Sequence, residues 1–318
     1  MPRSVSGTGR LPVLLLTGPT GAGKTDWATR LAESAPVEIV SVDSALVYRG
    51  LDVGTAKPPR EVRARIPHHL IDICDATESY SAGRFVGDAL ERIGDIHSRR
   101  RVPLLVGGTM LYLRSLLDGL AALPEACPEL RRELDARAAQ AGWPALHAEL
   151  ARLDPAAAAR IAPNDAQRIQ RALEVCQATG KPISELQRAT SSPLASFDVR
   201  YWMLNPCDRT VLHQRLGRRL EAMMAAGFLD EVRRLRDRGD LTSGHSSMRA
   251  VGYRQLWSHL DGHYDLEEAM RRALAATRQL AKRQLTWMRG ETRGEWLDPA
   301  SEVSWNRDIC NGLRALGL

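Results

Sequence analysis

The chain has 318 residues, 44% hydrophobic and 26% charged, with 44 Lys and Arg against 38 Asp and Glu. That length can bury a sizeable core in two domains, or in one domain with a large insertion, which excludes a peptide or minimal scaffold. Its longest apolar runs are a few residues, too short for a membrane span or a signal-peptide core, so a cytosolic protein with no membrane partner is expected.

Val13 to Leu16 reads as a strand and leads into Gly18-Pro19-Thr20-Gly21-Ala22-Gly23-Lys24-Thr25, which fits the phosphate-loop pattern at every fixed position. Asp26 to Leu31 reads as the helix that follows. A strand feeding a glycine loop and a helix N-terminus aims backbone N–H groups and the helix dipole at an anion. Lys24 adds a point charge, and the Thr25 hydroxyl can ligate a magnesium ion bridging phosphate oxygens. The site should hold a di- or triphosphate.

A second strand, Glu38 to Val42, ends in Asp43. Ligands of parallel α/β sheets collect at the carboxyl ends of the strands, so Asp43 should face the phosphate site. By residue type it can be a magnesium-supporting acid, a substrate anchor, a general base or a plain helix N-cap. Further along, a strand is predicted over His69–Ile73, a helix from about Ala82 to Arg99, and a strand over Val102–Val106 ending in Gly107-Gly108-Thr109, with a helix after it. The two glycines admit close approach of a ligand to the backbone, and Thr109 offers a hydroxyl and an N–H together. A phosphate-loop ATPase more often carries its magnesium-supporting acid at this strand end. Its absence favours a transferase on the same cradle.

From Pro128 to about Ala189 strand runs vanish and prolines at 144, 155, 163 and 182 punctuate short helices, the texture of an all-helical insertion. Val199 to Leu204 returns as a strand, and helices fill most of the remainder. The predicted fold class is α/β, a P-loop NTPase-like parallel sheet flanked by helices. Its core takes residues 1–125 and 197–318, and the helical insertion 126–196. Arg271, Arg272, Arg278, Lys282, Arg283 and Arg289 lie on one late helical stretch without an acid. On a helical wheel Arg271, Arg278, Lys282 and Arg289 form a ridge suited to a polyanion, opposite Ala273, Leu280 and Trp287. The five cysteines, Cys74, Cys127, Cys176, Cys207 and Cys310, lack metal-ligand spacing and are expected as free thiols. Of the scattered histidines His68 and His69 are adjacent, but on a strand they would face opposite ways, so no metal cage is expected. The ends, Met1–Arg10 and roughly Asp298–Leu318, are expected to be loosely held.

Taken in order, these motifs resemble the tRNA dimethylallyltransferases of bacterial type, which transfer an isoprenyl group to N6 of an adenosine beside the anticodon. The matching segments are Gly18–Thr25, Asp43–Arg49, Gly54–Pro58, Pro67–Asp72, Tyr80–Phe85, Gly107–Tyr112, Asn164–Glu174, Ala250–Arg254 and Thr277–Trp287. They cover most of the chain from residue 11 to 290. The resemblance implies that the loop Gly18–Thr25 holds the diphosphate of dimethylallyl diphosphate, with Mg2+, in place of ATP. It implies Asp43 as the general base at adenine N6 and Thr109 as the residue positioning the reacting groups. Arg215 and Arg219, four apart on one predicted helix face, are candidates for stabilising the departing diphosphate.

A tRNA anticodon stem-loop is the implied partner. The implied contacts are Asp43, Ser44, Ala45, Leu46, Thr109, Arg131, Gln167, Arg168, Ile169, Gln170, Arg171, Arg249, Ala250, Val251, Gly252, Tyr253 and Arg254, joined by Arg278 and Lys282 of the basic ridge. Gln167, Arg168 and Arg171 fit independently, since two arginines three apart on a helix can grip successive phosphates while an amide reads a base edge. The chain departs from the family pattern at Gly21-Ala22, at Ala45-Leu46, which removes an amide contact to nucleic acid, and at Met110, where glycine is usual. It carries no zinc-finger extension, as suits a bacterial-type enzyme, and a monomer is expected. Two other functions keep the loop. A small-molecule kinase needs neither the basic helix nor the insertion, and an RNA-binding module without chemistry needs neither Asp43 nor Thr109.

Overall fold

The computed structural model describes residues 9–121, 123–187, 190–206, 208–302, 305, 311 and 313. They fall into two compact units, one made of the chain up to Leu117 and from Pro193 onward, the other of Asp118–Ser192.

The first unit is built on six strands, β1 (Pro12–Thr17), β2 (Val37–Val42), β3 (His68–His69), β4 (Val102–Gly107), β5 (Asp198–Leu204) and β6 (Glu295–Leu297). They form one sheet in the order β3-β2-β4-β1-β5-β6 with every pairing parallel. Helices α1 (Lys24–Ser34), α2 (Arg60–Arg65) and α3 (Ala82–Ser98) connect the first four strands, and α4 (Met110–Asp118) follows β4. The second unit holds α5 (Pro128–Ala141), α6 (Trp143–Leu153), α7 (Pro155–Ala158), α8 (Ala166–Thr179) and α9 (Ile183–Leu186). Back in the first unit follow α10 (Arg209–Ala225), α11 (Phe228–Asp237), α12 (Tyr253–Leu260) and α13 (Leu266–Arg289).

A parallel sheet covered on both faces needs strands apolar at every position, which is why Val13, Leu14, Leu15 and Leu16 are all fully buried. Alternate residues divide the core in two. Val13, Leu15, Val42 and Leu105 pack on the face that carries Phe85 and Ile93 of α3, while Leu14, Leu16, Ile39 and Leu104 pack with Trp27 and Leu31 of α1. With β1 between β4 and β5, its carboxyl end opens into the middle of the sheet edge where ligands of this fold class bind.

Three expectations need correction. The strand expected over His69–Ile73 stops at His69, because the chain passes through left-handed backbone at Leu70 and Asp72. That turn aims the Asp72 carboxylate at Lys57, whose side chain is 2% exposed and needs a counter-charge. β6 is a strand of three residues, too short to carry a period. The C-terminal segment is not loose where it is described: Trp305 and Leu313 are buried, and Trp305 meets Trp27 edge-on at 5.3 Å under the Arg30 guanidinium. Residues 1–8, Cys207 and Cys310 lie outside the described residues. Cys74, Cys127 and Cys176 are free thiols. No described helix is long and apolar enough to cross a membrane.

Candidate active site

β1 delivers the chain into the loop Gly18–Thr25, where Gly21 and Gly23 adopt positive φ and α1 opens at Lys24. Lys24 Nζ donates to the carbonyl oxygens of Gly18 and Pro19, each at 2.9 Å. Burial pushes the Lys24 pKa down to about 8; Asp43 pulls it up and Arg219 pushes it further down. Ala22 is fully buried and gives the loop backbone alone. Thr25 is exposed at the first turn of α1.

Asp43 follows the last residue of β2. Its Oδ1 accepts the N–H groups of Ala45 (2.8 Å) and Leu46 (3.3 Å), which fixes the turn, and Oδ2 has no protein partner among the described residues. The carboxylate therefore both caps its turn and presents an oxygen to the cavity. On the neighbouring strand end, Thr109 Oγ1 accepts the Ser44 N–H at 3.0 Å, tying the two strand ends together. The glycines before Thr109 line the cavities with backbone, and the protein's own packing also requires them. A Cβ on Gly107 would stand 2.0 Å from the Val42 carbonyl oxygen, and one on Gly108 would stand 2.5 Å from Gln284 Nε2. The space is filled by the protein itself.

Two adjoining cavities open at these strand ends, of about 400 and 170 Å³. Both are lined by Thr20, Asp43, Thr55, Gly108, Arg219, Leu280 and Gln284. The smaller one adds Lys24, Thr25, Ser41 and His68, with apolar walls from Ala28, Ile39, Ile71 and Val106. The larger one adds Ser44, Ala45, Thr109, Arg249, Ala250, Val251, Gly252 and Thr277, with Leu216, Leu220, Met223 and Phe228 as an apolar wall. Of the two candidate arginines on α10, Arg219 reaches the cavities and donates to the Thr55 carbonyl at 3.3 Å; Arg215 is exposed and lines neither. Burial pulls the Arg219 pKa down and Asp43 raises it, which places the two charges in each other's field. Ser41 Oγ is buried, without a partner among the described residues, in the cavity that Thr25 and Asp43 also line. These oxygens suit a small hard cation whose remaining ligands come from phosphate and water.

The residues named as RNA contacts behave differently from one another. Arg249, Arg254, Arg278 and Lys282 are exposed in the first unit. Tyr253 is not: it is fully buried, its hydroxyl donating 2.6 Å to Glu231 Oε1, and Gly252 beside it packs on Phe228. Glu231 also accepts the N–H groups of Asp52, Val53 and Gly54, so this carboxylate knots three segments behind the larger cavity. In the second unit Gln167 and Arg168 are exposed, whereas Ile169 is fully buried and Gln170 donates to Asp135 at 2.7 Å. Arg131 and Arg171 both turn onto Glu174, which is fully buried and also accepts the Cys127 N–H. A buried carboxylate demands such partners, so these two charges are compensated inside the unit. Of the two arginines expected to grip successive phosphates, Arg168 is exposed with its guanidinium 3.5 Å from Asp165, whereas Arg171 is held on the buried Glu174.

Sequence reasoning missed Gln284, Glu231 and Arg219's companion Thr55. The buried stripe of α13 runs through Ala273, Ala281, Gln284 and Met288, so of the predicted buried side Ala273 is kept while Leu280 and Trp287 are only partly buried.

Residues 46–291 match the family model described as IPP transferase. The tRNA dimethylallyltransferase of Bordetella petrii is 58% identical over 282 residues, 88% of this chain and 90% of that protein. The one from Alkalilimnicola ehrlichii is 57% identical over 94% of each chain. Among solved structures, the full-length tRNA isopentenylpyrophosphate transferase of Bacillus halodurans superposes with a TM-score of 0.70 at 37% identity, covering 95% of both chains. A eukaryotic dimethylallyltransferase acting on tRNA gives 0.77 at 28% identity, covering 96% of this chain and 78% of that one.

Proposed function

The chain belongs to the IPP transferase family, and from that membership we propose that it transfers a dimethylallyl group from dimethylallyl diphosphate to N6 of the adenosine beside the anticodon of tRNA, giving N6-isopentenyladenosine. The observation that carries this is the meeting of Asp43, Thr109, Arg219 and the phosphate loop on two adjoining cavities. One cavity has the phosphate-binding groups and the other the exposed arginine rim. The smaller takes the donor, its diphosphate on the loop beside Lys24 and Arg219. The larger takes the adenine, drawn out of the loop stack at a cost of a few kcal/mol.

Adenine N6 is a poor nucleophile until its proton leaves. Asp43, held by two backbone N–H groups through Oδ1, accepts that proton on Oδ2 as the C–N bond forms. Thr109 holds the Ser44 side of the turn still, and Lys24, Arg219 and the loop N–H groups take the charge of the departing diphosphate. Thr25 with Ser41 would hold Mg2+, which when bound supplies further charge neutralisation on the diphosphate. Arg249, Arg254, Arg278 and Lys282 give phosphate contacts on the first unit, and Gln167 and Arg168 on the second. Both cavities are completed by one chain, which suits a monomer acting on tRNA in the cytosol.

The kinase alternative loses ground at β4, where packing against Val42 and Gln284 leaves no room for an acidic side chain at positions 107 and 108. Incubation with unmodified tRNA and radiolabelled dimethylallyl diphosphate decides the matter. Label on the adenosine beside the anticodon is expected; unlabelled tRNA together with ATP turnover would refute the proposal.

A further inference from the structure

We propose that Gln284 is a positioning residue that sets the register between the phosphate loop and the strand ends bearing Asp43 and Thr109. The assignment rests on prenyl transfer as proposed above and deepens it. Gln284 sits near the middle of the last turns of α13 and is 6% exposed. A buried amide is costly unless both its ends are bonded. Here Oε1 accepts the Thr20 N–H at 2.8 Å and Nε2 donates to the Gly108 carbonyl at 2.8 Å.

Both partners are backbone groups of the site. β1 and β4 run side by side as far as the pair Thr17 and Gly107, after which their chains part, one into the phosphate loop and the other toward Thr109. Gln284 bridges the two just past that point, and position 108 must be glycine to admit it. A continuous run of bonds results. It passes from Thr20 through Gln284 to Gly108, then along the chain to Thr109, whose hydroxyl takes the Ser44 N–H next to Asp43. One end of the run belongs to the loop that carries the leaving group, the other to the base.

Displacement at the prenyl carbon needs nucleophile, carbon and leaving oxygen in line, and an error of about 1 Å in such an arrangement costs about 10²-fold in rate. Nothing in that requirement touches ground-state affinity for either substrate. A slack register also leaves the bound donor open to water, which would attach its oxygen to the prenyl carbon as the C–O bond to diphosphate breaks, its proton passing to the Asp43 carboxylate or to the departing diphosphate, giving prenyl alcohol and free diphosphate.

Gln284→Met keeps the length and removes both bonds. The expected result is a kcat lower by about 100-fold, KM for donor and for tRNA within about 3-fold, unchanged pyrophosphate affinity, and a larger share of prenyl alcohol relative to prenylated tRNA. Gln284→Glu keeps the acceptor for Thr20 but sets a carboxylate oxygen against the Gly108 carbonyl, so its kcat should fall at least as far as that of the Met variant; its kcat decides the question if the Met variant does not melt cooperatively. A kcat within about 3-fold of wild type, or a loss carried wholly by KM, overturns the assignment. Wild-type protein that transfers no prenyl group refutes the proposed function instead, so the two failures are distinguishable.

Discussion

The Tyr253 hydroxyl donates a 2.6 Å hydrogen bond to Glu231 Oε1, and the two residues are 0% and 3% exposed. Tyr253 lies in a segment that resembles an RNA-contacting motif, yet its polar end serves the knot that holds Asp52, Val53 and Gly54 behind the cavity. Tyr253→Phe leaves Glu231 three N–H donors and removes one charge-assisted bond, worth about 1.5–3 kcal/mol. At about 2–4 °C per kcal/mol for a unit of this size, the melting temperature should drop by about 3–12 °C, with tRNA affinity within about 2-fold of wild type. Unchanged melting with weakened tRNA binding would return Tyr253 to the RNA surface.

That residue marks where the sequence is legible and where it stops. The phosphate loop, the strand ending in Asp43 and the strand ending before Thr109 are local patterns, and each lies where its period and flanking residues place it. Partners distant in sequence are not local patterns. Glu231 meets Gly54 across 177 positions, and Gln284 meets Gly108 across 176, so neither pairing can be read from the residues around it. The helical wheel of α13 put Ala273, Leu280 and Trp287 on the buried side, and of these Ala273 is the one fully buried. Packing adds the small Ala281 where the wheel had Leu280, which lets the helix approach closely enough for an amide to reach the loop. The ion pair of Arg171 is hidden from the sequence for a related reason, since Glu174 becomes a buried charge only once α8 is folded.

Arg215 and Arg219 are indistinguishable by spacing and separated by structure. Arg219 lines both cavities in the field of Asp43; Arg215 faces solvent. Arg219→Gln should lower kcat/KM for the donor by about 10²–10³-fold, the loss typical of removing a group that stabilises developing negative charge. Arg215→Gln should stay within about 2-fold. Steady-state kinetics with the donor varied checks both, and equal losses would contradict the placement.

Lys24 gives the donor site a pH dependence. Its pKa, about 8 in the ligand-free protein, rises when a diphosphate is bound, because an anion favours the charged amine. Between the free and bound values binding takes up a proton, so pyrophosphate affinity falls as pH rises above about 8, by up to tenfold per unit. Folding has the opposite sign. The unfolded chain binds more protons between about 8 and the ordinary lysine value of 10.5, so this group's contribution to stability grows with pH there, and unfolding through Lys24 cannot mimic the loss. Calorimetric titration with pyrophosphate from about pH 7 to about pH 9.5 should show the decline in wild type and a flat, weak response in Lys24→Met. A decline shared by both proteins would assign it to another group.

Asp43→Asn separates the two duties of that side chain. The amide oxygen can still accept the N–H groups of Ala45 and Leu46, so the turn and its bond network persist. What changes is the second position, where an NH2 replaces the oxygen that would accept the N6 proton. Turnover should fall by about 10²–10⁴-fold while tRNA and pyrophosphate bind within about 3-fold of wild type. Asp43→Ala should lose binding as well, because the turn that carries Ser44 and Leu46 then has no cap. Single-turnover rates with saturating tRNA, set beside equilibrium binding of each variant, test the division. Wild-type turnover in Asp43→Asn would mean that the N6 proton leaves by another route and that Asp43 acts through the turn alone.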